Sequence, residues 1–484
     1  MSIKKVINWI DGKSIESEGN NWHEKYNPHT GEVMCSVLCS NEVDVKNAVN
    51  SSLSSFNAWS ESTPVERGNI LFKLVNLMKT NSMELAKNIA LETGKPIQDA
   101  IGEVGGAIMQ GEFFAGEGMR LYGKTLTSGM SGKMSQTIRM PHGVVGLIVP
   151  ANTPIANIAW KIFPALICGN TVVLKSSEDS PSVANMIAEL AKKAGLPNGV
   201  LNVIQGNGET GAALVDNTQV SLISFTGSTS VGKIIAQNAG KRLARISLEL
   251  GGKNSFLVCD DADIDHAVHW ASLSAFSNAG QRCAATSRIL VFESVYDQFL
   301  SKLIDKANSL KLGISNESDL GPVINHKQYI NIIDAIDKAK NSGGKVLCGG
   351  ICDETSLKNG YYIKPTIISN LPIESELNNT EIFGPVTTIS QVKNLEEALK
   401  IANTSDYGLT AAIHTKNISR AIWYSKRIKT GLVNVNIGTF GSEPHMPFGG
   451  FGFSGNGTRE PGVEALDVYS ELKNISFLER KEEI

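Results

Sequence analysis

From residue 144 onward, short apolar runs alternate with helical patterns, and this alternation limits the possible folds more than any other feature. The runs VVGLIVP, TVVLKSS, VLNVIQG, SLISFTGS and ARISLEL are separated by segments of helical spacing near 182–193, 209–215 and 229–239. Strands that are apolar along their whole length belong in a parallel sheet covered on both faces, with helices as crossovers. A second set runs from about 255 to 436 through SFLVCD, SRILVF and GLVNVN, with helices expected over 264–282, 294–309 and 326–341. The spacing therefore predicts two α/β units in tandem, with a seam near residue 250. Residues 42–120 read as helical, and 123–143 as strands of a hairpin or ribbon. Ligands of parallel sheets sit at the carboxyl ends of the strands, so the turns leaving those strands are where function is sought.

Composition removes several alternatives. The 484 residues carry 45 basic and 48 acidic side chains, a net charge of −3, which leaves no electrostatic footprint for nucleic acid. A content of 42% hydrophobic and 19% charged residues excludes wholesale disorder. The most apolar stretch, 143–168, is interrupted by Pro150, Pro154, Lys161 and Pro164 and reads as buried core, not as a membrane span. Seven cysteines spread over a long chain are no disulfide framework, and MSIKKVINWIDGK lacks an apolar export core, so a cytoplasmic location is expected. Cys35 and Cys39, and Cys348 and Cys352, share a CxxxC spacing. The second pair reads as a turn between strands, and no metal site is expected.

Three turns have the chemistry of a nucleotide site. Gly206-Asn-Gly208-Glu-Thr-Gly211 is a literal GxGxxG, but no acidic residue follows at the expected distance, so a plain turn stands beside a phosphate cradle. In Phe225-Thr-Gly227-Ser228-Thr-Ser-Val231-Gly232, Ser228 and Thr229 suit either an N-cap or a phosphate. Lys175-Ser-Ser-Glu178 offers a charged pair for ribose hydroxyls, or a solvated loop. Catalytic chemistry has candidates too. Cys283 sits among small residues beside Arg282, whose charge is expected to lower the thiol pKa if the cysteine is not core filler. Glu249, ending an apolar strand in LELGG, is either a buried acid or a base with a shifted pKa. Asn152, in PANTP, is an amide donor or a turn residue.

Eight motifs in order carry a resemblance across nearly the whole chain: ETGKP (92–96), PANTP (150–154), GNTVVLKSSE (169–178), FTGSTSVG (225–232), LELGGKN (248–254), FSNAGQRCAATSR (276–288), EIFGPV (381–386) and PFGGFGFSGNGTRE (447–460). The chain resembles the aldehyde dehydrogenase superfamily, in its NAD(P)-dependent hydrolytic branch. The resemblance implies a Rossmann-like cofactor domain, a second α/β catalytic domain and a β-ribbon for oligomerisation. It places the dinucleotide-binding domain at 1–122 and 144–250, the catalytic domain at 251–445, and the oligomerisation segments at 123–143 and 462–484. It implies Cys283 as nucleophile, Asn152 as oxyanion donor and Glu249 as the base that hydrolyses a thioester. For NAD, preferred over NADP because of Glu178, it implies Lys175, Glu178, Gly208, Gly227, Ser228, Val231, Gly232, Leu250, Gln328, Glu381 and Phe383. Asn157, Trp160, Arg282 and His445 are the candidates for holding the aldehyde. A homodimer or homotetramer is expected. Acyl transfer to coenzyme A and a non-catalytic binding homologue are the competing readings, and the presence of Glu249 speaks against the first.

Overall fold

A computed structural model describes residues 3–17, 19 and 21–479. The final five residues of the expected segment 462–484 thus lie outside the described residues. A seven-stranded sheet has the order Arg245–Glu249, Val220–Thr226, Val144–Ile148, Thr171–Lys175, Leu201–Ile204, Asn8–Ile10, Lys13–Ile15. The first five strands are parallel, and the two N-terminal strands extend the edge antiparallel. Side chains of the parallel strands alternate between two apolar layers. Val145, Leu147, Val172, Leu174 and Val203 face one core, and Val144, Ile148, Val173, Ile204 and Ile223 face the other. That is why these strands read as unbroken apolar runs.

The helices that cover this sheet are defined at their starts. Asn41 and Asp44 form a capping box for Glu42–Glu61, and Thr63 and Glu66 form one for Pro64–Thr80, with Pro64 in the first turn. Helices Ser82–Thr93 and Ile97–Gly116 follow. After the N-terminal edge strands, the chain enters the parallel part of the sheet at its central strand Val144–Ile148, builds outward through Thr171–Lys175 and Leu201–Ile204, then returns to place Val220–Thr226 on the other side. That reversal opens a crevice at the carboxyl ends of the strands, where such sheets bind ligands.

Between Glu249 and Asn254 the chain passes to a second seven-stranded sheet. Its order is Lys345–Ile351, Ile363–Ser369, Val386–Val392, Thr286–Phe292, Asn254–Val258, Thr410–His414, Leu432–Val435, parallel except for its first strand. The α/β expectation holds, and the fold adds a three-stranded ribbon of Ser470–Leu478, Lys133–Pro141 and Thr125–Leu126. The expected turn at Cys348–Cys352 is a correction. Cys348 to Ile351 belong to an edge strand whose register shifts at Cys348 and again at Gly350. Gly349 and Gly350 have φ of +89° and +93°, and a Cβ on Gly349 would come within 2.2 Å of the Pro365 carbonyl. The glycines that suggested a turn make bulges instead. Ala465, Leu466, Val468 and Tyr469 join the core of the first sheet before the ribbon strand begins.

Candidate active site

Three loops leave the carboxyl ends of the first sheet at its crevice: the one after Ile148 carrying Asn152, the one after Thr226 carrying Ser228, and the strand end at Glu249. The second sheet presents the loop before Thr286, which carries Cys283. Together they enclose a cavity of about 590 Å³ lined by Asn152, Ser228, Glu249, Cys283, Glu381 and Phe383, among others. A second cavity of about 380 Å³ opens on the other side, between the helix Ile97–Gly116 and the segment 440–444. Cys283, Asn152 and Trp160 line both. The thiol therefore stands where the two spaces meet.

The cysteine loop is held under strain. Asn278, Ala279 and Gly280 have φ of 55°, 53° and 67°, three consecutive left-handed residues of which only one is glycine. A network fixes them. Asn278 Nδ2 donates to Asn152 O at 3.1 Å, Gln281 Nε2 donates to Asn278 O at 3.2 Å, and Gln281 Oε1 accepts from Ile324 N at 2.9 Å. A Cβ on Gly280 would lie 2.0 Å from Gly384 O, so the loop passes where only glycine fits. Past the cysteine, Asn254 Nδ2 donates to Cys283 O and Ala285 O at 2.7 and 2.8 Å. The Asn152 side chain is oriented at both ends: its Nδ2 donates to Gln281 O at 2.9 Å, and its Oδ1 accepts from Asn157 Nδ2 at 3.4 Å.

Electrostatics separate the thiol from the acid. Burial, then the charges of Glu381 and Glu249, push the Cys283 thiol up to about 12. This corrects the expectation that Arg282 lowers it. The guanidinium instead turns onto the Phe440 ring, 4.7 Å from its centroid, and burial and the nearby carboxylates prevail. Glu249 is 3% exposed, and neither carboxylate oxygen has a hydrogen-bond partner among the described residues. Burial, reinforced by the charge of Glu460, holds it well above the usual carboxylate range against the opposing pull of Lys161 and Arg459. Lys161 and Glu460 form a fully buried pair, Nζ to Oε2 2.7 Å.

Of the residues expected to hold a dinucleotide, Gly227, Ser228, Leu250, Gln328, Glu381 and Phe383 line the larger cavity. Lys175, Glu178, Gly208, Val231 and Gly232 do not. Lys175 and Glu178 pair with each other at 3.0 Å at the end of the strand Thr171–Lys175. Burial opposes the charge on Glu178, yet the Lys175 ammonium and a backbone amide outweigh it and hold the carboxyl below its usual range. Gly208 opens the helix Gly208–Asp216. Gly232 serves packing: a Cβ there would lie 2.6 Å from Leu250 Cδ2. Gln328 Nε2 donates to Ile382 O and Phe383 O at 2.9 and 3.0 Å, so it anchors the loop carrying Glu381 and Phe383. Asn157 lines the larger cavity, Trp160 both, and Arg282 the smaller one. His445 is exposed and lines neither.

The larger cavity suits a dinucleotide. Ser228 caps the helix Thr229–Lys241, and the N-terminus of a helix is chemically suited to a phosphate group. Gly251 lets the Glu381 carboxylate pack directly against the chain, since a Cβ would sit 2.1 Å from Glu381 Oε2. Glu381 Oε1 is held by Gly252 N at 3.1 Å. The sequence did not single out Lys161 and Glu460 as partners. They lie 299 residues apart, and the only hint was an acid ending the motif NGTRE.

At the crevice of a parallel sheet, a thiol and an unpartnered carboxylate face one space. The sequence profile of the Aldehyde dehydrogenase family matches residues 14–475. "Retinaldehyde dehydrogenase 3" of Rattus norvegicus is 40% identical over 475 residues, covering 95% of this chain and 91% of that protein. "Alpha-ketoglutaric semialdehyde dehydrogenase" of Bacillus subtilis is 37% identical, covering 97% of each. The crystal structure of betaine aldehyde dehydrogenase from Staphylococcus aureus in complex with NAD+ superposes with a TM-score of 0.95 at 34% identity, over 98% of this chain and 95% of that one. The chain belongs to the aldehyde dehydrogenase family, and is an NAD(P)-dependent aldehyde dehydrogenase.

Proposed function

We propose that the enzyme oxidises an aldehyde to its carboxylic acid with NAD+, through an adduct on Cys283 that Glu249 hydrolyses. The observation that carries this reading is the position of Cys283 where both cavities meet, with an unpartnered Glu249 facing the larger one. The sulfur attacks the aldehyde carbon as the thiol proton leaves to a cavity carboxylate. Because the thiol is held near 12, proton removal must accompany attack. The Cys283 backbone N–H and the second Asn152 amide hydrogen hold the oxyanion. The dinucleotide, when bound, supplies the acceptor for the hydride leaving that carbon. The carbonyl re-forms as a thioester. Glu249 takes a proton from water, the hydroxide adds to the thioester, and the thiolate leaves.

On this reading, 1–122 with 144–250 binds the dinucleotide, 251–445 carries catalysis, and 123–143 with 462–484 pairs subunits. Glu178 opposes a 2′-phosphate and sets the preference for NAD. The ribbon supports a homodimer or homotetramer, because Met134, Leu472 and Phe477 are exposed along it and its edge is unpaired. The test is Glu249→Gln with aldehyde and NAD+: a burst of one NADH per site followed by a stall is expected. Undiminished steady turnover, or wild-type turnover that strictly requires coenzyme A, overturns the hydrolytic scheme.

A further inference from the structure

One patch of the smaller cavity's wall is bare of side chains. Gly102 and Gly106, one turn apart on the helix Ile97–Gly116, both line it, and a Cβ on either would meet no atom within 4 Å. A helix-interior glycine is destabilising relative to alanine, and close packing does not require it at either position. The gain is room beside Cys283. Phe440, Ser442 and Arg282 also line this cavity.

Arg282 is the uncommitted charge in this space. Its side chain makes no hydrogen bond and no ion pair among the described residues, and its Nε is buried without a partner. Its guanidinium lies over the Phe440 ring. The other cation, Lys95, is already paired: its Nζ donates to Glu103 at 2.6 Å and to Asn152 O at 2.7 Å. Glu103 in turn accepts from Ile155 N at 3.0 Å. Asp99 is near enough to interact with Arg282 through space but makes no ion pair with it, and its Oδ2 also lacks a partner. A structural salt bridge therefore does not account for the arginine. The half-buried Arg282 guanidinium keeps a buried Nε without an acceptor, which is costly unless a ligand supplies one. Its fixed fork of donors matches a carboxylate.

We propose that Arg282 is a specificity-determining residue that binds a carboxylate at the far end of the substrate, so that the enzyme takes short aldehydes bearing an acid group. This rests on the reading of Cys283 as nucleophile, because the aldehyde end is placed by the sulfur and the acid end by the neighbouring side chain. Asp99 tempers the positive charge and limits the pocket to one carboxylate.

The experiment compares glutaric semialdehyde with its uncharged methyl ester. Wild type is expected to favour the acid in kcat/KM by about tenfold or more, the range of a charged hydrogen bond. Arg282→Gln should collapse that preference to near unity, Arg282→Lys should retain part of it, and Asp99→Asn should raise it. A second readout needs no dinucleotide: calorimetric binding of glutarate, strong in wild type and lost in Arg282→Gln. No preference in wild type, or a preference that survives Arg282→Gln, overturns the assignment. Inactivity toward every aldehyde with glutarate binding intact would instead sink the nucleophile reading and leave the anion site standing.

Discussion

Replacing Lys161 with methionine probes the site from beneath. Lys161 Nζ is 2.7 Å from Glu460 Oε2 and 2.7 Å from Ser224 Oγ, and both charged side chains are fully buried. Glu460 Oε1 also accepts from Ser224, Ser247 and Tyr469 at 2.9–3.0 Å. Methionine keeps the stem and removes the charge, leaving Glu460 as a buried carboxylate held by hydroxyls alone. Breaking one partner of such a pair costs about 3–5 kcal/mol. The variant should therefore lose that much in a urea unfolding series at neutral pH, and Lys161→Met with Glu460→Leu should recover much of it, since an apolar replacement of both is often neutral. A second signal follows from charge. Lys161 pulls the Glu249 carboxyl down and Glu460 pushes it up. Without the ammonium Glu249 rises further, so if Glu249 is the base, as proposed, the acid limb of the kcat profile moves to higher pH. A stability loss below about 1 kcal/mol, well under the usual range for a broken buried pair, or an acid limb shifted to lower pH, would refute the reasoning.

Other outcomes are equally direct. Glu249 has a raised folded pKa, so its stabilising contribution is full below the unfolded value near 4.5 and is lost as pH rises through the folded value. Glu249→Gln should therefore melt above wild type at pH about 8 and converge with it near pH about 4, as scanning calorimetry would show. Gly232→Ala forces a methyl to within 2.6 Å of Leu250 and should cost about 1–3 kcal/mol while raising the KM for NAD+ more than it lowers kcat. Glu178→Gln should narrow the ratio of kcat/KM between NAD+ and NADP+; an unchanged ratio would remove Glu178 from cofactor choice.

Much of this fold is legible in the chain because parallel strands buried on both faces leave unbroken apolar runs. Thr171–Lys175 and Leu201–Ile204 are such runs, and every residue in them is buried. The helix His326–Asn341 matches its spacing for the opposite reason, one apolar face only. Local pattern fails where tertiary contact decides. Gly349 and Gly350 signal a turn, but pairing with Ile363–Ser369 absorbs them as bulges. Arg282 beside Cys283 suggests an activated thiol, yet sequence adjacency says nothing about direction, and the guanidinium faces Phe440. His445 follows Pro444, which lines the smaller cavity, but its own side chain is solvent-exposed. The eight motifs recover Cys283, Glu249 and Asn152 as neighbours of one cavity, whereas the Lys161–Glu460 pair spans 299 residues and only folding reveals it.

Because the two cavities meet along a shared wall that includes Cys283, Asn152 and Trp160, the proposed scheme gives traffic through the enzyme two separate doors. On that scheme aldehyde and dinucleotide would not compete for an entrance, and an acid product would depart by its own route while a spent coenzyme is still seated. Inhibitors aimed at one door would then leave the other open, and a molecule long enough to bridge both must pass the thiol on its way.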